Sequence, residues 1–276
     1  MKRSLSGIQP SGILHLGNYF GAMKQFIDTQ NSGEYDGFYF IADYHSLTSL
    51  TDPKALKDNT YNIVLDYLAL GLDPKKSTIF LQSDVPEHTE LSWLLSNVTP
   101  VGLLERGHSY KDKIAKGISP NTGLLTYPVL MAADILMYDT DVVPVGKDQK
   151  QHLEFARDIA MKFNQQYNVD LFKLPEPLIL DDSAIVPGTD GQKMSKSYGN
   201  TINMFASKKE LKKQVMSIVT DSTPLEDPKD PNNNVAKLYA LFASIEKQNE
   251  MKEKFLAGNY GYGHCLLYTS PSPRDA

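Results

Sequence analysis

Short apolar segments alternate with helical patterns along most of this chain, and that alternation constrains the fold more than any other feature. Each apolar segment has the length of a buried strand, and a helical stretch follows it. This order predicts an α/β fold with a Rossmann-like parallel sheet, right-handed crossovers and helices on both faces. The predicted strands are residues 3–8, 37–42, 78–81 and 142–145.

Polar side chains follow the carboxyl end of each predicted strand. In an open parallel sheet these ends border one crevice, where ligands bind. Polar clusters at all four strand ends therefore predict one binding site along that edge. The clusters are Gln9, Asp43 with His45, Gln82 with Asp84, and Lys147 with Asp148 and Gln149.

The first strand leads through a turn into a helix, within the sequence SGIQPSGILHLGNYFGA at residues 6–22. This arrangement places backbone N–H groups at a helix N-terminus against a phosphate, and Gly12 and Gly17 permit its close approach. His15 and Asn18 are three residues apart, so both lie on one helical face. The stretch predicts a polyphosphate site. A lone histidine here is also typical of a cap or a surface group.

A polar loop at residues 189–200 contains the sequence KMSKS. The ammonium groups of Lys193 and Lys196 suit a departing pyrophosphate, whose negative charge builds during displacement. A solvated basic loop is the alternative interpretation. The unbroken match to a five-residue signature favours the phosphate-binding interpretation.

Together these segments resemble the two signatures of the class I aminoacyl-tRNA synthetases, a His-x-Gly-His-like motif and KMSKS. The sequences GIQPSG, LLTYPVLMAADIL and VPVGKDQKQHLE are similar to the tryptophanyl-tRNA synthetases within that class. This resemblance covers about residues 4–264. It implies a tryptophan–tRNA ligase that uses ATP to convert L-tryptophan to tryptophanyl-adenylate and then charges tRNA(Trp). It also implies Mg²⁺ carried by the ATP phosphates and a homodimer.

The resemblance assigns roles to individual residues. Lys113 is one of them, and it belongs to residues 107–117, which we predict to be a polar loop. The residues implied in catalysis are His15, Asn18, Lys113, Lys193 and Lys196. Those implied around ATP are Gln9, Ser11, Gly17, Asn18, Gly146, Asp148, Lys193, Met194, Ser195 and Lys196. Those implied around tryptophan are Leu5, His45, Tyr127, Met131, Asp134, Val143, Val145 and Gln149, and no protein metal site is expected.

Asp134 is the single carboxylate of an apolar helical segment, residues 124–138. A buried carboxylate without a partner is strongly destabilising, so it requires donors. An indole N–H donates and cannot accept, and it therefore complements a carboxylate. Backbone donors or a lysine are the alternative partners. Met131, Val143 and Val145 are equally compatible with an ordinary core.

Three residues depart from the pattern of the resembled family. Asn18 occupies the place of the second histidine of many class I signatures. Leu5 replaces a residue that is often aromatic, which would loosen the indole pocket. Lys147 stands where many members have glutamate.

Composition and domain order complete the expectations. The net charge of −5 argues against a broad basic surface for binding nucleic acid. The single cysteine, Cys265, argues against a disulfide framework or a thiolate zinc site. No apolar run has membrane-spanning length. We therefore expect a cytoplasmic protein without membrane contact. The expected domains are a Rossmann-like catalytic domain at 1–205, a truncated helical domain at 206–264 and a non-native, adapter-like tail at 265–276.

Two other functions remain open from the sequence. One is a different enzyme, a tyrosyl-tRNA synthetase or a simpler nucleotidylyltransferase with a His-x-Gly-His-type motif. The other is a non-catalytic paralogue that binds tryptophan or RNA as a sensor. Intact His15, Asn18, Lys193 and Lys196 argue against the sensor.

Overall fold

The computed structural model describes residues 1–115, 119, 121–145, 150–178 and 186–263. The chain forms two compact units, one of residues 1–13 and 22–183 and the other of residues 14–21 and 184–276. The second unit therefore takes in residues 14–21 from within the first sequence signature. The expected catalytic and helical domains, divided at residue 205, remain a prediction, and the adapter-like tail lies outside the described residues.

The first unit is built on a five-stranded parallel sheet with the strand order β3-β2-β1-β4-β5. Ile8 pairs with Ile41, and Ile41 pairs with Leu81, so the first three strands end at one edge. The predicted parallel α/β sheet is confirmed. The fifth strand, three residues with a central proline, was not predicted. The strands are β1 (Lys2–Ile8), β2 (Tyr35–Ile41), β3 (Ser77–Leu81), β4 (Val142–Pro144) and β5 (Glu176–Leu178).

Several helices begin at residues whose side chains satisfy a free backbone N–H group. Asp52 accepts from the N–H of Lys54 and precedes a proline at the first helical position, and Asn121 accepts from the N–H of Leu124. The helices are α1 (Leu16–Asn18), α2 (Lys24–Ser32), α3 (Asp43–Ser46), α4 (Pro53–Ala69), α5 (Glu87–Ser96), α6 (Val101–Leu104), α7 (His108–Ala115), α8 (Thr122–Leu136), α9 (Lys150–Tyr167), α10 (Lys208–Met216), α11 (Asn234–Tyr239) and α12 (Ile245–Ala257). A π-helical segment, Tyr19–Met23, separates α1 from α2.

Helix α7 corrects one prediction, because residues 107–117 were expected to form a polar loop. The N–H of Lys111 donates to the carbonyl oxygen of Gly107 at 3.1 Å, and the helix continues to Ala115. No glycine or proline interrupts the segment between Gly107 and Gly117, so its polar composition does not prevent a helix. Lys113 lies in this helix, and its side chain is outside the described residues.

A buried apolar cluster joins the sheet to the helices of the first unit. It contains Leu5 of β1, Phe40 of β2 and Val143 of β4, together with Ala133 of α8 and Ile159 of α9. The apolar residues Leu153, Ala156, Ile159 and Ala160 of α9 are all buried, so one face of this helix packs into the core. Among the described residues, no helix is both long and apolar enough to cross a membrane.

The second unit has its own apolar core. Leu16 of α1 packs with Met194 and Ile202, and Val235 of α11 and Phe255 of α12 are fully buried in the same cluster. A capping box begins α10. Ser207 Oγ accepts from the N–H of Glu210, whose carboxylate accepts from the N–H of Ser207.

Candidate active site

The centre of the first unit's site is the carboxylate of Asp134, which is 1% exposed. Its Oδ1 lies 2.7 Å from Nδ1 of His88 and accepts from Nε2 of Gln82 at 2.8 Å. Its Oδ2 lies 2.7 Å from Nε2 of His45. Three side chains from three separate segments therefore converge on one carboxylate, and two of them follow strand ends.

The neighbours of Asp134 also settle its charge. Burial alone would raise the pKa of this carboxyl group, but the hydrogen bonds and charges of His45 and His88 outweigh burial and hold the pKa below its ordinary value. Asp134 is therefore ionised at neutral pH. Lysine and backbone donors, the alternative partners considered from the sequence, are not what holds this carboxylate among the described residues.

Gln82 connects the strand ends to one another. Its Nε2 donates to Asp134, while its Oε1 accepts from the N–H of Tyr44 at 3.2 Å. Gln82 follows β3 and Tyr44 follows β2, so a single amide joins both strand ends to the carboxylate. The prediction that polar clusters at these two strand ends meet is confirmed.

Apolar residues implied around tryptophan lie in the same unit. Leu5 and Val143 are buried in its core cluster, and Met131 and Val145 pack against that cluster. Tyr127 meets His45 edge-to-face with ring centroids 6.3 Å apart, and its hydroxyl lies 3.3 Å from Nε2 of His152. Gln149, the remaining residue of this set, lies outside the described residues.

A cavity of about 350 Å³ lies beside His45 and Tyr127. Other residues that line it include Leu47, Thr48, Thr89 of α5 and Leu130 of α8. His45 lines this cavity and is also hydrogen-bonded to Asp134. The ionised carboxylate is therefore linked through His45 to a cavity large enough for a small ligand.

In the second unit, His15 immediately precedes α1 and Asn18 is the last residue of that helix. The Oδ1 of Asn18 accepts from the N–H of His15 at 3.2 Å. The His15 ring is buried, and its Nδ1 has no hydrogen-bond partner among the described residues. Burial and the nearby charge of Lys196 lower the pKa of His15 to about 4, so its imidazole is neutral at pH 7.

The KMSKS segment packs directly against this first signature. Met194 is buried, and its sulfur accepts from the N–H of Gly17 at 3.3 Å. A Cβ on Gly17 would lie 2.9 Å from the ring of His15 and 3.3 Å from Cβ of Met194. The structure thus brings together His15, Gly17, Asn18, Met194 and Lys196, which the sequence placed at one nucleotide.

Asn200 holds the backbone of the KMSKS segment, a role that no motif in the sequence indicates. Its Oδ1 accepts from the N–H of Ser195 at 2.8 Å, and its Nδ2 donates to the carbonyl of Lys193 at 3.1 Å and to Asp190 at 2.8 Å. Gly188 packs so closely that a Cβ there would lie 2.2 Å from this amide nitrogen. The loop is therefore anchored at three points by one buried side chain.

The other predicted ATP-site residues belong to the first unit or lie outside the described residues. Gln9 and Ser11 are exposed in the turn after β1 of the first unit, where the N–H of Ser11 donates to the carbonyl of Gln9. Gly146 and Asp148 lie outside the described residues. Like Asn200, two further site residues were not predicted from the sequence: His88 and Tyr138, whose hydroxyl lies 3.0 Å from Nε2 of His88. No local signal in the sequence distinguishes His88 from other polar residues of α5.

Comparisons with known proteins agree with this architecture. A family model described as class I tRNA synthetases (W and Y) matches residues 2–269. A tryptophan–tRNA ligase from Fusobacterium nucleatum subsp. nucleatum is 85% identical over 265 residues, which cover 96% of this chain and 81% of that protein.

Two solved structures are also similar. The tryptophanyl-tRNA synthetase from Campylobacter jejuni complexed with ADP and tryptophan has a TM-score of 0.88 and 56% identity, over 97% of this chain and 83% of that chain. The tryptophanyl-tRNA synthetase from Mycoplasma pneumoniae has a TM-score of 0.78 and 35% identity, over 96% and 83% respectively. The chain belongs to the class I tRNA synthetases and, within that class, to the tryptophan–tRNA ligases.

Proposed function

We propose that this chain activates L-tryptophan with ATP and charges tRNA(Trp). The tryptophan carboxylate attacks the α-phosphate of ATP, which releases pyrophosphate and forms tryptophanyl-adenylate. A hydroxyl of the terminal ribose of the tRNA then attacks the tryptophanyl carbonyl, AMP leaves, and no enzyme nucleophile is required. The observation that carries the proposal is Asp134, a buried, ionised carboxylate beside an apolar cluster. Support also comes from the Campylobacter jejuni relative, which was crystallised with ADP and tryptophan.

Asp134 explains the proposed choice of amino acid. An ionised carboxylate accepts and cannot donate, and it offers about four acceptor sites, of which three are used by His45, Gln82 and His88. One indole N–H matches the remaining site. Phenylalanine would leave it unmatched, which costs affinity because the charged group is already buried. Leu5, Met131, Tyr127, Val143, Val145 and Gln149 would surround the indole ring.

The second unit supplies groups for the phosphates of ATP. We assign His15 and Asn18 as neutral donors to phosphate oxygens, because the imidazole is uncharged at pH 7 and its Nδ1 has no partner among the described residues. Lys193 and Lys196 would neutralise charge on the departing pyrophosphate. The assignment also includes a set of further ATP contacts. These are Gln9, Ser11, Lys113, Gly17, Gly146, Asp148, Met194 and Ser195.

Mg²⁺ would arrive on the ATP phosphates. The described part of the chain has no group of three His, Cys, Asp or Glu side chains that could hold a metal ion. Mg²⁺ prefers oxygen ligands and usually keeps several waters, so phosphate oxygens and water can coordinate it without such a group of side chains. The bound ion would offset phosphate charge during displacement. The residues of this chain would then bind and orient the two substrates.

The remaining partners form part of the same proposal. We infer a cytoplasmic homodimer that binds tRNA(Trp), as the family resemblance implies. Trp93 of α5 is 71% exposed and Leu94 beside it is also exposed, which supports burial of this helix against a second copy. Light scattering would give twice the chain mass for the proposed dimer. A monomer at working concentration would contradict it.

ATP–pyrophosphate exchange with each amino acid tests the proposed reaction. Tryptophan should stimulate exchange, whereas tyrosine and phenylalanine should not. Asp134→Asn should lower kcat/KM for tryptophan by about a hundredfold or more, because the amide cannot accept from both histidines and the ligand. Asp139→Asn is the matched control, since Asp139 is exposed and asparagine tolerates its positive φ.

Three outcomes would contradict the proposal. Exchange stimulated by tyrosine alone would identify a tyrosyl-tRNA synthetase. Tryptophan binding without exchange would identify a non-catalytic sensor. Exchange without aminoacylation of tRNA(Trp) would restrict the activity of this chain to adenylate formation.

A further inference from the structure

A chain of hydrogen bonds runs from Asp134 through His88 to the half-buried Tyr138, and it explains more than the ionisation of Asp134. The Tyr138 hydroxyl lies 3.0 Å from Nε2 of His88, and Nδ1 of His88 lies 2.7 Å from Oδ1 of Asp134. His88 is completely buried. The three residues come from α5, from α8 and from the turn after α8. A buried polar chain of this length is costly unless every group is paired, and here each group has a partner.

The charge of Asp134 fixes the proton on the His88 ring. An ionised carboxylate only accepts, so Nδ1 of His88 must be the donor in this contact. The Tyr138 hydroxyl faces the other ring nitrogen. Burial and the charge of Asp134 raise the pKa of Tyr138 to about 12, so the hydroxyl keeps its proton. Tyr138 thereby fixes the orientation of the His88 ring.

The two oxygens of Asp134 are used unequally. Oδ1 receives both His88 and Gln82, at 2.7 and 2.8 Å, and its two lone-pair directions are occupied. Oδ2 receives only His45, at 2.7 Å. The single acceptor site that remains therefore belongs to Oδ2, and it can take one N–H donor.

We propose that His88 is a positioning residue for amino-acid selection, which saturates Oδ1 of Asp134 and so reserves Oδ2 for the indole N–H. This inference rests on the proposed function. Without His88, Oδ1 regains a free acceptor site, the carboxyl group can rotate, and one of the bonds that keep it ionised is lost. Selection for an N–H donor should then weaken, while the apolar fit of the amino acid remains.

The test compares tryptophan with β-(3-benzothienyl)-L-alanine, an isostere in which sulfur replaces the indole N–H. The readout is the ratio of kcat/KM for the two amino acids in ATP–pyrophosphate exchange. His88→Leu should lower this ratio about tenfold or more, mainly through a higher KM for tryptophan, with the analogue changed less than about threefold. His88→Asn should recover part of the ratio, because its amide can replace the Nδ1–H donor.

Two further variants keep the test decisive. Tyr138→Phe removes only the hydroxyl and should lower the ratio about threefold without unfolding the protein. Thr140→Val is the control, because Thr140 is buried in the same unit and its hydroxyl has no partner among the described residues. This control should leave the ratio unchanged.

The outcomes distinguish the positioning role of His88 from the proposed synthetase function. An unchanged ratio in His88→Leu and Tyr138→Phe, with normal exchange by the parent protein, overturns the positioning role alone. Parallel losses for tryptophan and the analogue in every His88 variant also overturn it, because they indicate a purely structural effect. Absence of tryptophan-dependent exchange in the parent protein rejects the proposed function, and the role of His88 with it.

Discussion

The backbone N–H of Gly17 donates to the sulfur of Met194 across 3.3 Å, although the two residues are 177 positions apart in the chain. Gly17 belongs to the first signature and Met194 to KMSKS. The contact is part-buried beside a core that contains Leu16, Met194 and Ile202, so apolar packing places the second signature against the first. A thioether accepts weakly, and the missing Cβ of Gly17 is what makes this approach possible.

Gly17→Ala should impair exchange while the protein remains folded. The new methyl group would lie 2.9 Å from the His15 ring and 3.3 Å from Cβ of Met194, so one of them must move. We propose that His15 binds phosphate, so its displacement by a fraction of an ångström should lower kcat about ten- to a hundredfold. Gly21→Ala is the matched control, because no atom lies within 4 Å of its Cβ position. Equal rates for both variants would contradict this account.

The depressed pKa of His15, about 4 against 6.5 in an unfolded chain, makes stability depend on pH. Between these values the unfolded state binds a proton that the folded state does not, so stability falls as the pH decreases from 7 towards 4. From pH 7 to pH 5 this group should account for about 2 kcal/mol. Urea unfolding at pH 7 and pH 5 measures the effect. The free energy of unfolding should decrease less between these pH values in His15→Gln than in the parent protein. Identical losses would show that His15 titrates normally.

Asn200→Ala should disconnect the KMSKS segment from its anchor. The N–H of Ser195 and the carbonyl of Lys193 would each lose a part-buried hydrogen bond to the buried Asn200 side chain, at a cost of about 1–3 kcal/mol in stability. We expect kcat for exchange to fall at least about tenfold, since the lysines are no longer fixed. Exposed Asn232 of the same unit provides the control, Asn232→Ala. Unaltered exchange in Asn200→Ala would mean that the loop needs no anchor.

Lys229 is a structural cation in the second unit. It is 4% exposed, and its Nζ donates to the carbonyls of Pro224, Leu225 and Asp227 at 2.8, 3.1 and 3.1 Å. Lys229→Met should therefore destabilise the protein by about 3 kcal/mol, which lowers the thermal midpoint by roughly 6–12 °C. Circular dichroism would measure the midpoint, with exposed Lys237→Met as the control. A shift no larger than that of the control would contradict a structural role.

The sequence predicted those parts of the site that depend on the sheet. Gln82 and His45 both follow strand ends, and both bond to Asp134, because parallel strands in register end at one edge. The alternation of apolar strands with helices is visible locally, so this edge could be predicted without coordinates. KMSKS and the first signature were equally visible as unbroken motifs.

The missed features depend on distant packing. His88 is surrounded in sequence by Glu87, Thr89 and Glu90, which is typical of an exposed helix face, and its partner Asp134 is 46 residues away. Asn200 lies in a polar loop where any asparagine would be compatible with a turn. Helix α7 was predicted as a loop because it lacks an apolar stripe, and helix formation does not require one.

The contact between Gly188 and Asn200 has a consequence for the evolution of this family. Any side chain at position 188 would occupy the space of the Asn200 amide and approach its backbone oxygen to 2.8 Å. The two positions should therefore be inherited together. Homologues that carry alanine or serine in place of Gly188 should also have replaced Asn200, and they must hold their signature lysines by a different arrangement.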